Sequence, residues 1–194
     1  MKIIFATGNK GKLKEVKKIF NNTDFEIISL AELGFTEEIE ETGNTFEQNA
    51  FIKAETIFEK YKMPVIADDS GLMVEQLNGQ PGVYSARYAG ENATYEDNNK
   101  KLLYELNKFP QPHLAKFVCC AVFVNVKTRF SVTGELEGEI IKEYKGSNGF
   151  GFDPIFKPLE FEQTLAEMGI IEKNKISHRA KAFEKLKQKM IENI

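Results

Sequence analysis

Short apolar segments alternate with amphipathic segments along the first third of the chain, and this alternation restricts the possible folds. Apolar runs at Lys2–Ala6, Phe25–Leu30 and Pro64–Ala67 predict buried strands. Between them, periodic apolar residues predict one helix after Gly11 and another beginning at Thr45. The order strand, helix, strand, helix, strand is typical of an α/β fold.

The rest of the chain is richer in strands. Further strands are predicted at Leu72–Leu77, Lys116–Val126 and Phe130–Glu139, and further helices from Thr94 and after His178. We therefore expect an α/β fold with a central mixed sheet flanked by helices, forming one domain over residues 1–194. Two lobes with a cleft between them fit this order, with roughly residues 80–150 supplying much of the second lobe.

The composition excludes some classes of protein. A net charge of −3 argues against a general nucleic-acid binder. The apolar stretches are too short for a signal peptide or a membrane span, so we expect a cytoplasmic protein without a membrane partner. Cys119 and Cys120 are the only cysteines. Neighbours on a strand point to opposite faces, which predicts two reduced core thiols.

Two adjacent carboxylates, Asp68 and Asp69, follow the third predicted strand and lead into Ser70 and Gly71. Folding does not require this arrangement, and repulsion between like charges opposes it. Ligands of open α/β sheets bind beyond the carboxyl ends of strands, so the pair suggests a divalent cation and a phosphate-bearing substrate. A solvated turn is the alternative, because Asp, Ser and Gly all favour turns.

The loop Thr7–Lys12 joins the first strand to the first helix. Its small residues allow close backbone approach, free N–H groups at a helix start attract anions, and Lys12 adds a positive charge. The segment is not a P-loop, because only two residues separate Gly8 from Gly11 and Leu13 follows Lys12. A plain strand-to-helix turn is the alternative.

Two other groups of polar residues are candidates for the same chemistry. Asn49 and Lys53 lie four positions apart on the second helix and could reach into a cleft together, or could be a surface Asn and a snorkelling Lys. Glu40 or Glu41 could share a metal ion with Asp69, although an acidic surface loop is an equally good interpretation.

Two later segments could bind a flat ligand. In Gly149–Pro154, glycines allow close approach, phenylalanines offer stacking faces and Asp153 offers an acceptor; an aromatic-filled turn is the alternative. At the start of the last helix, Ser177 is a candidate N-cap and Arg179 could direct several donors at a ligand. A covalent mechanism is not supported, since Ser70 lacks the nucleophile-elbow pattern.

Five segments, in order along nearly the whole chain, resemble the inosine triphosphate pyrophosphatase family, also described as dITP/XTP pyrophosphatases. They are ATGNKGKLKE (6–15), EETGNTFEQNAFIKAE (40–55), IADDSGLMVEQLNGQPGVYSARYAG (66–90), GFGFDPIF (149–156) and SHRAKAF (177–183). The resemblance implies an elongated α/β fold with a deep cleft, a homodimer and a requirement for Mg²⁺. It also implies hydrolysis of ITP, dITP or XTP to the monophosphate and pyrophosphate, which cleanses the nucleotide pool.

The resemblance also assigns roles to individual residues. Asp69 would accept the proton from water and would hold the metal ion with Glu41 or Glu40, while Ser70 would touch the substrate. The phosphates would be held by Thr7, Gly8, Asn9, Lys10, Gly11 and Lys12. The nucleotide, and its base end in particular, would be bound by Phe150, Gly151, Phe152, Asp153, Lys173, His178 and Arg179. Independently of the resemblance, the negative charge of a triphosphate could be neutralised by four cationic side chains, those of Lys12, Lys53, Lys173 and Arg179.

The chain departs from the family pattern at two positions. Phe152 stands where Tyr or Trp is common, which keeps a stacking ring but loses a side-chain hydrogen bond. Gln48 stands where Glu is usual, so we assign the metal ion to Glu41 and Asp69. Two other functions are considered: a pyrimidine nucleotide pyrophosphatase of the related Maf type, and a catalytically silent nucleotide-binding module.

Overall fold

The computed structural model describes residues 1–193. The strands are β1 (Lys2–Phe5), β2 (Glu26–Ser29), β3 (Val65–Val74), β4 (His113–Val124), β5 (Arg129–Ile140) and β6 (Phe156–Pro158). The helices are α1 (Lys10–Ile19), α2 (Phe46–Tyr61), α3 (Tyr95–Leu106), α4 (Ile170–Ile176) and α5 (His178–Asn193). The sequence patterns do not predict β6 and α4, which are too short to show a clear period. No helix within residues 1–193 is long and apolar enough to cross a membrane.

The strands form one mixed sheet in the order β2-β1-β3-β4-β5-β6. β1 pairs in parallel with β2 and with β3, where Phe5 lies opposite Ile66. A helix joins β1 to β2, as parallel neighbours require a crossover connection. β5 and β6 are antiparallel, with Ile140 opposite Phe156. The predicted α/β fold with a central mixed sheet is confirmed.

Contacts within the chain define two compact units. Unit 1 comprises residues 1–69 and 119–134, together with α5 from Arg179 onward. Unit 2 comprises residues 70–118 and 135–178, so the segment 119–134 in the middle of the expected second lobe belongs to unit 1 instead. β3, β4 and β5 each contribute residues to both units.

Alternate residues of the sheet in unit 1 pack against different helices. Phe5 packs against Phe183 of α5, with ring centroids 5.4 Å apart, whereas Ile4 joins the cluster that contains α2. Cys119 and Cys120 follow the same alternation, since each is buried in a different one of these two clusters and both are reduced. The prediction of two core thiols on opposite faces is therefore confirmed.

Unit 2 has a core of its own. Leu72 of β3, Leu102 of α3 and Phe156 of β6 are fully buried in one cluster. The same cluster includes Leu165 and Met168, which precede α4. This core extends β3 beyond the two acids, because burial of Leu72 keeps the chain in the sheet.

The course of β3 differs from the prediction. The sequence patterns predict one strand that ends at Ala67 and a second over Leu72–Leu77, but β3 is one strand of ten residues in which Asp68 and Asp69 are internal. The neighbouring strand β1 ends at Phe5, which pairs with Ile66. The two acids therefore lie just past the carboxyl end of β1, although β3 itself continues.

Candidate functional site

Asp68 and Asp69 are both buried, but consecutive strand residues point to opposite faces of a sheet. Asp68 lies on the face of Ile66, which packs in the cluster with α1 and α5. Asp69 lies on the face of Ala67, which packs in the cluster with α2. Two acids that look equivalent in the sequence therefore have different partners.

Asp68 belongs to a buried ionic network in unit 1. Its Oδ2 lies 3.0 Å from Nζ of Lys12 and 3.4 Å from Nε of Arg179. The thiol of Cys119 is a weak donor to the same oxygen, with Sγ 3.7 Å from Oδ2. Nη1 of Arg179 donates to Oε2 of Glu15 at 2.6 Å. Burial disfavours the charge of Arg179, but Asp68 and Glu15 outweigh this cost and raise its pKa.

Glu15 also belongs to this network, although the sequence patterns do not single it out as a site residue. It is only 4% exposed and lies three positions after Lys12 on α1, so both side chains are on one side of the helix. The neighbouring Val16 and the next-turn Ile19 are buried as well. The sequence feature that could have identified Glu15 is an acidic residue next to the buried apolar stripe of a helix that is otherwise rich in lysine.

Asp69 has its partners on α2. Nδ2 of Asn49 donates to Oδ2 of Asp69 at 3.1 Å, and Nζ of Lys53 lies 3.9 Å from Oδ1. The same ammonium group donates to Oε1 of Glu41 at 2.8 Å. The four-residue spacing of Asn49 and Lys53 thus brings both side chains to one carboxylate, which the sequence offered only as one of two interpretations.

The charges around Asp69 shift two pKa values. Burial raises the pKa of Asp69, and the positive charges of Lys53 and Lys12 oppose this only in part. Burial disfavours the charge of Lys53, but Asp69, Glu41 and Asp68 outweigh it and raise the pKa of Lys53. A fixed ammonium group beside a carboxylate with a raised pKa suits proton transfer near a negatively charged substrate.

The loop before α1 is organised by Asn9. Its Oδ1 accepts from the backbone N–H groups of Gly11 at 2.8 Å and Lys12 at 3.1 Å, and its own N–H donates to Oγ1 of Thr7. The expectation that the N–H groups at this helix start are free is therefore wrong for these two amides, since an N-cap side chain occupies them. Lys10 is exposed, and a Cβ on Gly8 would meet no atom within 4 Å.

In unit 2, Asp153 organises the glycine-rich loop. Its Oδ2 accepts from the backbone N–H of Phe150 at 2.8 Å and from Nζ of Lys173 at 2.7 Å. The Asp153 and Lys173 side chains are both buried, so this ion pair is shielded from solvent. Lys173 also lies over the Phe150 ring, 4.8 Å from its centroid, and Asn99 donates to the carbonyl oxygen of Gly151 at 3.1 Å.

The two phenylalanines of this loop have different environments. Phe152 is 3% exposed and belongs to the core of unit 2, whereas Phe150 is half-buried. This placement favours Phe150 as the ring that stacks on a ligand and gives no support to Phe152 in that role. His178 is buried, with its ring stacked on Phe117 at a centroid distance of 4.7 Å.

Comparison with known proteins decides the family. Residues 3–189 match the sequence model of the Ham1 family. This chain belongs to the Ham1 family. It is 53% identical to a dITP/XTP pyrophosphatase of Thermoanaerobacter pseudethanolicus over 195 residues, which cover 100% of this chain and 98% of that protein.

Solved structures of the Ham1 family agree with this fold. The Ham1 protein of Staphylococcus aureus is 40% identical, with a TM-score of 0.89 and coverage of 100% of both chains. A HAM1 protein from Coxiella burnetii is 38% identical, with a TM-score of 0.90 and coverage of 99% of both chains. The resemblance noted from the sequence segments is thereby confirmed at the level of family and fold.

The predicted site residues of this Ham1-family chain fall into two groups. Unit 1 contains Thr7, Gly8, Asn9, Lys10, Gly11, Lys12, Glu40, Glu41, Lys53, Asp69 and Arg179. Unit 2 contains Ser70, Phe150, Gly151, Phe152, Asp153, Lys173 and His178. Arg179 was predicted at the base end of the nucleotide, but its bonds to Glu15 and Asp68 do not support that role, which stays a prediction.

The oxygen donors in unit 1 suit a magnesium ion. Asp69 and Glu41 both approach Nζ of Lys53, whereas Glu40 is exposed. No group of three or more His, Cys, Asp or Glu side chains within residues 1–193 could hold a metal ion by itself. Mg²⁺ is commonly bound through one or two carboxylates together with substrate phosphates and water, and this donor set fits that pattern.

Gly149→Ala should destabilise unit 2. Gly149 has φ +80°, and an added Cβ would lie 2.1 Å from Oδ2 of Asp153. The left-handed backbone strain alone costs about 1–3 kcal/mol, and displacing Asp153 would also disturb its ion pair with Lys173. Gly151→Ala is the matched control, since φ is +65° there but no atom lies within 4 Å of the added Cβ. Thermal unfolding should show a larger loss for Gly149→Ala; equal losses would contradict the close contact.

Proposed function

We propose that this protein hydrolyses nonstandard purine nucleoside triphosphates, namely ITP, dITP and XTP, to the monophosphate and pyrophosphate. The observation that carries the proposal is the environment of Asp69, a buried carboxylate with a raised pKa beside Lys53 and Asn49. The full-length relative from Thermoanaerobacter pseudethanolicus is named a dITP/XTP pyrophosphatase, which supports the substrate class.

We assign Asp69 as the general base. Water attacks the α-phosphorus while Asp69 accepts its proton, and the bond to the β-phosphate oxygen breaks to release pyrophosphate. The raised pKa of Asp69 strengthens it as a base relative to an exposed carboxylate. Lys53 holds its ammonium group 3.9 Å from Oδ1 of Asp69, where it can stabilise negative charge on the reacting phosphates.

We assign the remaining phosphate contacts to the loop Thr7–Lys12. Lys12 is anchored by Asp68, which keeps its ammonium group fixed before any substrate binds. Fixed positive charge of this kind is more effective than charge that must reorient during the reaction. Fewer backbone N–H groups of this loop can donate to phosphate than its sequence suggests, because Oδ1 of Asn9 already accepts from two of them.

Glu41 and Asp69 would hold Mg²⁺ with the substrate phosphates, and Glu40 is the alternative to Glu41. When bound, the ion supplies charge neutralisation that weakens the repulsion between the phosphates and incoming water. The chain itself bridges the two carboxylates through Lys53, whose Nζ lies 2.8 Å from Oε1 of Glu41 and 3.9 Å from Oδ1 of Asp69.

We assign the base to the Phe150–Asp153 loop, Lys173 and His178. Half-buried Phe150 offers a stacking face, and Ser70 offers a polar contact to the substrate. Hypoxanthine and xanthine present an acceptor oxygen at C6, whereas adenine presents an amino donor. An adenine amino group that faces a donor such as the Lys173 ammonium would leave the N–H that points at it without an acceptor, at a cost of about 1–3 kcal/mol.

Product analysis in isotopically labelled water tests this proposal. With ITP and Mg²⁺ in H₂¹⁸O, attack on the α-phosphorus should give IMP that carries ¹⁸O and unlabelled pyrophosphate. If pyrophosphate carries the ¹⁸O instead, water attacks the β-phosphorus. Formation of inosine diphosphate and phosphate would overturn the pyrophosphatase assignment.

A substrate panel separates the alternative functions. Comparison of kcat/KM for ITP, XTP, dITP, dTTP and UTP should favour the first three. A preference for dTTP or UTP would indicate the Maf-type pyrimidine activity instead. Tight binding of ITP without turnover in Mg²⁺ would identify a silent nucleotide-binding module.

The assembly and location of the protein remain predictions. We propose a homodimer in the cytoplasm, with the nucleoside triphosphate as the small-molecule partner and neither a nucleic acid polymer nor a membrane as a partner. Sedimentation of the purified protein over a range of concentrations tests the dimer, and a single species at the mass of one chain would refute it.

A further inference from the structure

Asn49 is a fully buried polar side chain in the first half of α2, and it bonds two different segments of unit 1. Its Nδ2 donates to Oδ2 of Asp69 at 3.1 Å. Its Oδ1 accepts from the backbone N–H of Gly43 at 2.8 Å. An amide has a donor end and an acceptor end, so these two partners fix its orientation in a single way.

The segment bonded by Asn49 is the acidic loop, which we define as residues 40–44. Gly43 packs so closely on the start of α2 that an added Cβ would lie 2.6 Å from Cβ of Gln48 and 2.7 Å from Oδ1 of Asn49. Gln48 anchors the same loop independently, since its Oε1 accepts from the backbone N–H of Asn44 at 2.8 Å. Two hydrogen bonds thus hold the loop backbone to side chains of α2, and of these two only the bond through Asn49 continues to Asp69.

The acidic loop carries Glu41, which the proposed function assigns as a metal ligand. Glu41 bonds Lys53, and Lys53 approaches Asp69, so the acidic loop reaches Asp69 through two routes. One route is an ion pair between long side chains, which can change rotamer when phosphate binds. The other is the short Asn49 amide, which is buried and has fixed partners.

We propose that Asn49 is a positioning residue that sets the spacing between the acidic loop and Asp69, and thereby the spacing of the two carboxylates offered to the metal ion. This inference rests on the proposed function, because it concerns the arrangement of the general base and of Glu41. Asn49 itself touches neither substrate nor metal in this scheme. Its role is to orient the Asp69 carboxylate through Oδ2.

The amide is better suited to this role than the acid of the same shape. Asn49→Asp would keep an acceptor for the N–H of Gly43 but would lose the donor to Asp69, placing two carboxylates side by side. Asn49→Ala would lose both bonds. Gly43→Ala would keep both groups but would push the loop away from Asn49. These three changes break the link between the loop and Asp69 at different points.

The test compares these variants with Gln48→Ala, the matched control, which removes the other loop anchor without touching Asp69. Three quantities are measured: kcat and KM for ITP with Mg²⁺, the affinity for Mn²⁺ alone without nucleotide, and hydrogen exchange at the Gly43 amide. For Asn49→Ala we expect about 10–100-fold losses in both kcat and Mn²⁺ affinity, as is usual when a residue that orients metal ligands is removed.

The controls give distinct outcomes. Gln48→Ala should change kcat and Mn²⁺ affinity by less than about 3-fold, because Asn49 still holds Gly43 and Asp69. Asn49→Asp should keep slow hydrogen exchange at the Gly43 amide but lower kcat. That result would show that anchoring the loop is not sufficient and that the orientation of Asp69 is also required. If Asn49→Ala fails to fold, Asn49→Asp and Gly43→Ala supply the same comparison.

Two results would overturn the inference. Wild-type kcat and Mn²⁺ affinity in the Asn49 variants, with only the melting temperature lowered, would reduce Asn49 to a core residue. Equal effects of Gln48→Ala and Asn49→Ala would assign the role to loop anchoring in general. Absence of turnover in the wild-type protein would instead refute the proposed function, and the two failures are therefore distinguishable.

Discussion

Asp69→Asn should reduce kcat for ITP by about 10²–10⁴-fold, the usual contribution of a positioned general base. Asparagine has the shape of aspartate and still offers an oxygen to Nδ2 of Asn49, but it cannot accept a proton from water. The fold should persist, because burial of Asp69 already opposes its charge. Initial rates with ITP and Mg²⁺, together with the melting temperature, measure the two effects.

Asp68→Asn is the comparison that separates the adjacent acids. Asp68 contacts two cations in a buried network, so its replacement should lower stability more than the change at Asp69. Its effect on kcat should be smaller, because Asp68 acts only through Lys12 in our scheme. Turnover near the wild-type level in Asp69→Asn would contradict its role as general base. A larger loss of turnover in Asp68→Asn than in Asp69→Asn would indicate that Asp68 is the base instead.

The fold was largely predictable because local patterns and tertiary packing agree. α2 is an example, since Thr45 caps it through the N–H of Gln48 at 3.2 Å, and Ala50, Ala54 and Ile57 are buried as their spacing predicts. β3 was not predictable in full. Four residues from Asp68 to Gly71 favour turns, and their continuation as a strand depends on burial of Leu72 in the core of unit 2.

The candidate site was predictable as a set of residues but not as a set of contacts. Strand alternation states that Asp68 and Asp69 point in opposite directions. It does not state that α1 and α5 cover one face and α2 the other, which decides that Asp68 contacts Arg179 and Asp69 contacts Asn49. The loop with Phe150 and Phe152 has no period, so which ring enters the core depends on unit 2 as a whole.

Arg179→Met should lower the free energy of unfolding by about 3–5 kcal/mol, because it removes the cation that faces buried Glu15 and one of the two cations that face Asp68. Glu15 and Asp68 both accept from the Arg179 guanidinium, whose side chain is 2% exposed. Methionine fills much of the same space, so the loss measures mainly the missing charge and its hydrogen bonds. Urea unfolding followed by circular dichroism measures the change.

Arg129→Met is the matched control, since it removes a similar Arg–Glu pair at the surface. Nη1 of Arg129 lies 2.9 Å from Oε1 of Glu55, but both side chains are largely exposed. A pair of this kind contributes about 1 kcal/mol or less, because solvent screens it. The double change Glu15→Gln with Arg179→Met should cost less than the sum of the two single changes, since it removes the stranded charge together with its partner. Additive losses, or a loss at Arg179 no larger than at Arg129, would show that the buried network does not hold α1 and α5 together energetically.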